Sequence, residues 1–259
     1  MHKLRILLST LFFLLIISIS FFLYLLQTLD SSVGSIDKDT KVIINPGQNL
    51  GEISDHLQDL GIISSAQYFK FYAVLTRKDQ SLKAGEYLFE SSETLVSVLN
   101  KIVNNDTYKR YLTIPEGLTS VQILSLINSA EGMNDTQLNS LDEGSILPDT
   151  YNYSWGGDRQ ELLHRMKKSL EDFIEKAWLS RKDNLPFSSI NEALILASIV
   201  EKETGLERER SKVASVFVNR LRKGMRLQSD PTVIYGIDKD GSLGRQITRS
   251  DLNGYTEFN

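Results

Sequence analysis

Glu201 and Glu203 stand two residues apart at the end of an apolar run, the place in this chain where carboxylates are best set to do chemistry. The run is Ser189 to Gly205, SINEALILASIVEKETG. Ser189 followed by Glu192 has the form of a capping box, which predicts a helix start there. Ala193, Leu194, Ile195, Leu196, Ala197, Ile199 and Val200 leave no wide polar face, so the helix is expected to be buried. Gly205, free to take positive φ, is expected to end it. Glu203 continues the stripe of Leu196, Ile199 and Val200, whereas Glu201 shares a side with Ala197 and Leu194. A carboxylate at the C-terminal end of a buried helix has two reasons to keep its proton: desolvation and the partial negative charge of the helix terminus. Those are conditions for a general acid near neutral pH. The alternative is that both glutamates face solvent or pair with Arg208 and Arg210.

Other chemistries are poorly provided for. The chain has 259 residues, no cysteine and three histidines, His2, His56 and His164, far apart in sequence. Thiolate and histidine metal sites are therefore not expected, and no cofactor motif (GxGxxG, Walker loop or HExxH) is present. A net charge of −4, from 29 basic and 33 acidic side chains, gives no footprint for nucleic acid. The segment ILPDTYNYSWG, residues 146 to 156, sets Asp149 and Tyr151 among aromatics, as a sugar groove or an ordinary core would. Gln228, Ser229 and Asp230 precede Pro231, which restricts the turn they occupy. Glu116, in a Pro/Gly turn, reads as solvated.

The elements that must position these groups follow from periodicity. Ile6 to Leu26 is uncharged, preceded by Lys3 and Arg5, and spans roughly 30 Å as a helix, about a bilayer's hydrocarbon thickness. It is expected to be a single-pass anchor with the N-terminus in the cytoplasm. Residues 30–40 form a polar linker. Next comes a small α+β module: a strand at Lys41–Asn45, helices carrying Leu50, Ile53, Leu57 and Leu60, then Phe69, Tyr72 and Ala73, a strand at Ala84–Phe89, and a helix with Leu95, Val98, Leu99 and Ile102. VIINPGQNLGEISDHL and YLTIPEGLTSVQILSLI share a strand, a Pro/Gly turn and an amphipathic helix: either a common unit met twice, or a true echo whose second copy opens the next domain near Lys109. Arg159–Ser180 reads as an amphipathic packing helix. Leu206–Lys223 is another, its basic end complementing the helix dipole, with Gly224 as its stop. A loop from Met225 leads into a strand or short helix.

ASIVEKETG, followed by ERSKVASVFVNRLRKGMRLQSDPTVIYG, resembles the signature of the MltG (YceG-like) endolytic murein transglycosylases; PDTYNY, AGEYLF and the apolar N-terminal run are similar to its other landmarks. The resemblance implies an α+β protein with an N-terminal transmembrane helix (1–29), a linker (30–40), a LysM-like module (41–108) and a mixed α/β catalytic domain (109–259). That last domain stops at Asn259 and is expected to be C-terminally truncated. The resemblance further implies Glu203 as catalytic acid, with Gln228, Asp230, Tyr235, Tyr151 and Asp149 positioning substrate. It implies no metal or cofactor. The expected partners are peptidoglycan glycan strands and the plasma membrane, with peptidoglycan synthases as candidate protein partners. The implied reaction cleaves the β-1,4 bond between N-acetylmuramic acid and N-acetylglucosamine, leaving a 1,6-anhydro end. Two alternatives stand beside it: a membrane-tethered glycan-binding scaffold with structural glutamates, and a water-using muramidase with Asp149 or Asp230 as partner acid.

Overall fold

Residues 10–20, 23, 34 and 36–258 are described by the structure, a computed structural model. Residues 10–20 are helical, with exposed side chains. The rest of the expected 6–26 anchor, residue 23 apart, lies outside the described residues, as do linker positions 30–33 and 35. Among the described residues no helix is long and apolar enough to cross a membrane. The chain divides between Lys109 and Arg110 into two compact units.

The first unit is built on β1 (Thr40–Ile44) and β2 (Gly85–Phe89), an antiparallel pair in which Val42 faces Tyr87. Alternation along β1 sends Val42 and Ile44 inward. Three helices cover the pair: α1 (Leu50–Asp59), α2 (Ala66–Leu75) and α3 (Leu95–Val103). Asn49, Ser65 and Thr94 cap them through their side chains. Their core contains Ile53, Leu57, Phe69, Ala73, Tyr87, Phe89, Leu95, Val98, Leu99 and Ile102. Leu60 is outside it, 40% exposed, because α1 has already ended. The buried Tyr87 hydroxyl donates to the carbonyls of Lys83 at 2.8 Å and Ile102 at 3.3 Å.

The second unit repeats the opening of the first. β3 (Arg110–Thr113) pairs antiparallel with β4 (Thr150–Tyr153), Leu112 facing Tyr151. Between them a Pro–Glu–Gly turn leads into α4 (Ser120–Ser129), started by a Thr119–Gln122 capping box as α1 is by Asn49–Glu52. Gly47 and Gly117 hold the two turns at φ 87° and 77°, where a side chain would be strained. The echo read in the sequence is thus a structural one: strand, turn, boxed helix, then a later strand returning antiparallel to the first.

α5 (Arg159–Leu179) closes this part, and its packing is shorter than its periodicity suggests. The core of Ile114, Ile123, Ile127, Leu138, Ile146, Tyr151, Leu162 and Leu163 reaches along it only to Met166. Beyond that point Phe173 is 57% exposed, since the short β3–β4 pair does not extend beneath it. Arg159, buried, donates to the carbonyls of Ile127, Asn128, Ala130 and Asn134, satisfying the open end of α4.

The remaining helices are α6 (Ile190–Glu203), α7 (Glu207–Arg222), α8 (Asp230–Ile237) and α9 (Arg249–Asn253); α6 and α7 share a separate core of Leu196, Ile199, Val200 and Phe217, with α8 against α6 and α9 against α8. The segment after Met225 therefore resolves as a loop and a short helix. The expected mixed α/β domain is helical around one two-stranded antiparallel sheet among the described residues, so the chain is α+β throughout. α6 is not buried all round: the stripe of Leu196, Ile199 and Val200 is covered, while Ile195 at its edge is 53% exposed and Ser198, opposite the stripe, is exposed too. Packing comes from the side facing α7 and α8, and composition alone does not reveal that one-sidedness.

Candidate active site

The capping box of Ser189 and Glu192 starts α6 as its sequence predicts. Its other end does not use glycine. Thr204 leaves the helix in an extended conformation, φ −149° and ψ 126°. The Thr204 hydroxyl accepts from the Leu206 N–H at 3.1 Å and donates to Glu209 at 3.4 Å, so a side-chain turn links α6 to α7.

The two glutamates before that turn differ in their partners. Glu201 accepts from Arg210 Nη2 at 3.1 Å, and the same nitrogen bonds Glu116 in the β3–α4 turn. Glu116's hydrogen bond, outweighing desolvation, and then the charge of Glu201 hold the Arg210 guanidinium above its ordinary value. Next to Glu201, Lys202 Nζ donates to the Gly117 carbonyl at 3.0 Å. The pairing considered for both glutamates thus falls to Glu201, and Glu116 is ion-paired rather than merely solvated.

Glu203 is exposed, and no arginine reaches it among the described residues. The desolvation expected from an all-round buried helix is missing at this carboxylate, because α6 is covered on one stripe and ends at the surface. Instead the Ser229 hydroxyl donates to Glu203 Oε1 at 2.5 Å. Among the described residues no donor is bonded to Oε2.

Ser229 is 2% exposed, between the exposed Gln228 and Asp230. It reaches Glu203 through a loop that the end of α7 defines. Gly224, at φ 64°, gives a Schellman stop, with Met225 N–H on the Arg220 carbonyl and Gly224 N–H on that of Leu221. Gln228 then takes the left-handed conformation, φ 54°, just before Ser229. Pro231 sits in the first turn of α8, where its missing N–H costs nothing.

The other expected site residues separate into two groups. Gln228 and Asp230 flank Ser229, Gln228 with its amide oxygen on Arg220 at 3.1 Å and Asp230 opening α8. Tyr235, further along α8, donates to Glu143 at 3.0 Å and meets the Phe258 ring edge-on at 5.1 Å. Burial, then Glu143, pushes its phenol up. Tyr151 belongs instead to the core under α4 and α5, and Asp149 is an exposed residue just before β4. Tyr151 is buried, its hydroxyl donates to the Leu147 carbonyl at 2.7 Å, and burial raises its phenol. Asp149 accepts the Thr150 N–H at 2.6 Å and shapes the start of β4. The aromatic run 146–156 is therefore a packing segment at Tyr151, and neither residue is bonded to Glu203.

Ser229, Arg220 and Glu143 are residues to which sequence reasoning gave no part in the site, although Ser229 was noted in the turn before Pro231. The signal for Ser229 was its place just before an Asp–Pro helix start, ordinarily read as a cap. Glu143 binds both Tyr235 and the Ser120 N–H, at 3.1 Å for the latter. With Glu116–Arg210 and Lys202–Gly117, it joins the two cores of this unit through polar contacts. An exposed carboxyl with one oxygen fastened and the other open, on a firm helix end, can deliver a proton to an ether oxygen and recover one from a hydroxyl.

The YceG-like family model matches residues 42–259. Among curated proteins, the endolytic murein transglycosylase of Bacillus subtilis (strain 168) is 27% identical over 240 residues, covering 79% of this chain and 66% of the relative. That of Streptococcus pneumoniae serotype 2 (strain D39) is 28% identical over 271 residues, 88% of this chain and 48% of the relative. The chain thus spans about half to two thirds of the length of these relatives. A crystal structure of a YceG-like protein from Listeria monocytogenes is 26% identical, covers 86% of this chain and 81% of its own, and superposes with a TM-score of 0.46. With the family model running from β1 to the C-terminal residue, the chain belongs to the YceG-like family.

Proposed function

We propose that this chain is a lytic transglycosylase that cuts within peptidoglycan strands, with Glu203 as its single acid and base. The observation that carries the reading is the state of Glu203: exposed at the end of α6, with Ser229 on Oε1 and Oε2 open. The relatives' names supply the substrate class. Glu203 gives its proton to the bridging O4 of N-acetylglucosamine as the C1–O4 bond breaks and charge develops at the muramic C1. It then takes the proton of the muramic C6 hydroxyl as O6 bonds to C1. The products are a 1,6-anhydro end and a free 4-hydroxyl, and no water enters. Gln228, Asp230 and Tyr235 are the groups we assign to holding the strand; each lies on the loop or helix that carries Ser229.

The same reading makes the 6–26 run a single-pass anchor in the plasma membrane, with Lys3 and Arg5 on the cytoplasmic side and the rest extracytoplasmic. The first unit is read as a LysM-like glycan-binding module, supported by its β1–α1–α2–β2 order and antiparallel pairing. Peptidoglycan synthases remain the protein partners to look for.

The test is digestion of purified murein by the full chain and its Glu203→Gln variant, with identification of the product ends. Anhydro ends from the wild type and none from Glu203→Gln are expected. Reducing ends indicate the water-using muramidase, intact strands indicate the binding scaffold, and cleavage by Glu203→Gln removes that residue from the mechanism.

A further inference from the structure

We propose that Arg220 is a positioning residue for Glu203: its guanidinium fastens the 225–229 loop in the one conformation that presents the Ser229 hydroxyl to Glu203 Oε1. The inference rests on the transglycosylase reading of Glu203. A basic side chain in the last turn of a helix is ordinarily explained by the helix dipole. Arg220 does something more specific. Its Nη1 donates to the Leu227 carbonyl at 2.6 Å, to Gln228 Oε1 at 3.1 Å and to the Arg226 carbonyl at 3.3 Å. Its own carbonyl takes the Met225 N–H at 2.9 Å. One residue therefore grips the loop at both ends.

That grip has a conformation to maintain. Gln228 stands at φ 54°, a region that residues with a Cβ rarely occupy. Left alone, the peptide before Ser229 relaxes to negative φ and redirects everything after it, including the Ser229 hydroxyl. Arg220 holds the two carbonyls and the side-chain amide leading up to that kink. Arg222, in the same turn and of the same charge, is a built-in control, because its Nη2 goes to the Asn184 carbonyl at 3.0 Å and not to the loop.

The experiment measures steady-state cleavage of murein strands by the full chain carrying Arg220→Met, Arg220→Lys, Arg222→Met or Glu203→Gln, with circular dichroism to verify folding. Arg220→Met is expected to lower kcat by about ten- to a hundredfold, as for a displaced catalytic group, with a smaller rise in KM, below about fivefold, from the release of Gln228. Arg220→Lys, which keeps the charge and a terminal nitrogen but on a stem of different reach from the one that sets Nη1 against the loop, falls between it and the wild type. Guanidinium ion added at millimolar concentration restores part of the Arg220→Met loss, and Arg222→Met matches the wild type. A folded Arg220→Met or Arg220→Lys with wild-type kcat overturns the proposal, as does an equal loss in Arg222→Met. If Arg220→Met does not fold, Arg220→Lys decides. Cleavage by Glu203→Gln in the same assay is the separate result that removes the underlying reading.

Discussion

Ser229 occupies the N-cap of α8, yet its hydroxyl donates to Glu203 Oε1 at 2.5 Å instead of accepting from the first turn of its own helix. A serine in that position normally contributes about 1 kcal/mol as a cap. Here the hydroxyl is turned across to another helix and α8 starts with no side-chain cap. Ser229→Ala is therefore expected to act on turnover more than on stability. With Oε1 released, the Glu203 side chain samples other rotamers, and kcat falls about tenfold to a hundredfold. Murein cleavage rates and thermal melts on the same preparations check this; wild-type turnover in Ser229→Ala would mean that the contact does not orient the acid.

Glu201 offers the opposite contrast. It pairs with Arg210, which keeps Glu116 as a second partner, and both side chains are partly exposed. Glu201→Gln should leave the anhydro products unchanged and cost less than about 1 kcal/mol in urea denaturation, as partly exposed ion pairs do. Loss of cleavage in this variant, with its fold intact, would transfer the acid's role from Glu203 to Glu201.

The difference between these two residues shows how far periodicity carries. The i, i+4 relation of Glu203 to Ile199 was legible, and so was the capping box of α6, because both depend on neighbours within one turn; the like boxes of α1 and α4 went unread. The strands β1, β2 and β3 and the echo between the two units were legible as local strand–turn–helix patterns, whereas β4 and the pairings, which join distant segments, were not. The Ser229 contact was not, since 26 residues and the whole of α7 separate it from Glu203. Nor was the one-sided burial of α6, which depends on which neighbours arrive and not on its own composition. Tyr151 misled for a related reason: an aromatic beside an acid looks the same in a core as in a sugar groove.

Tyr151→Phe separates those two meanings. The hydroxyl donates to the Leu147 carbonyl at 2.7 Å, with the Ser169 side chain also bonded to it, and the ring lies in the core. Removing the oxygen should cost about 1 kcal/mol of stability and leave kcat and KM unaltered. A raised KM without any change in the unfolding midpoint would restore Tyr151 to the substrate groove.

Tyr87 gives a pH-dependent prediction for the first unit. Burial, with a smaller contribution from the charge of Asp106, pushes its phenol up from 10.0 to about 12. The folded chain therefore keeps this proton where the unfolded chain has lost it. Stability contributed by the protonated hydroxyl is fully present below pH about 10 and declines as the pH rises toward about 12, by roughly 3 kcal/mol in total. Tyr87→Phe has no such proton. At pH 8 it should be the less stable protein by about 1 kcal/mol, having lost the bonds to the Lys83 and Ile102 carbonyls. At pH 11 the gap should narrow or reverse, because only the wild type is losing this contribution. Urea denaturation of the full-length wild type and Tyr87→Phe, followed by circular dichroism at both pH values, isolates the effect, since the other tyrosines and the lysines titrate in both proteins. A gap that stays constant from pH 8 to pH 11 would show that the Tyr87 hydroxyl does not govern the alkaline limb.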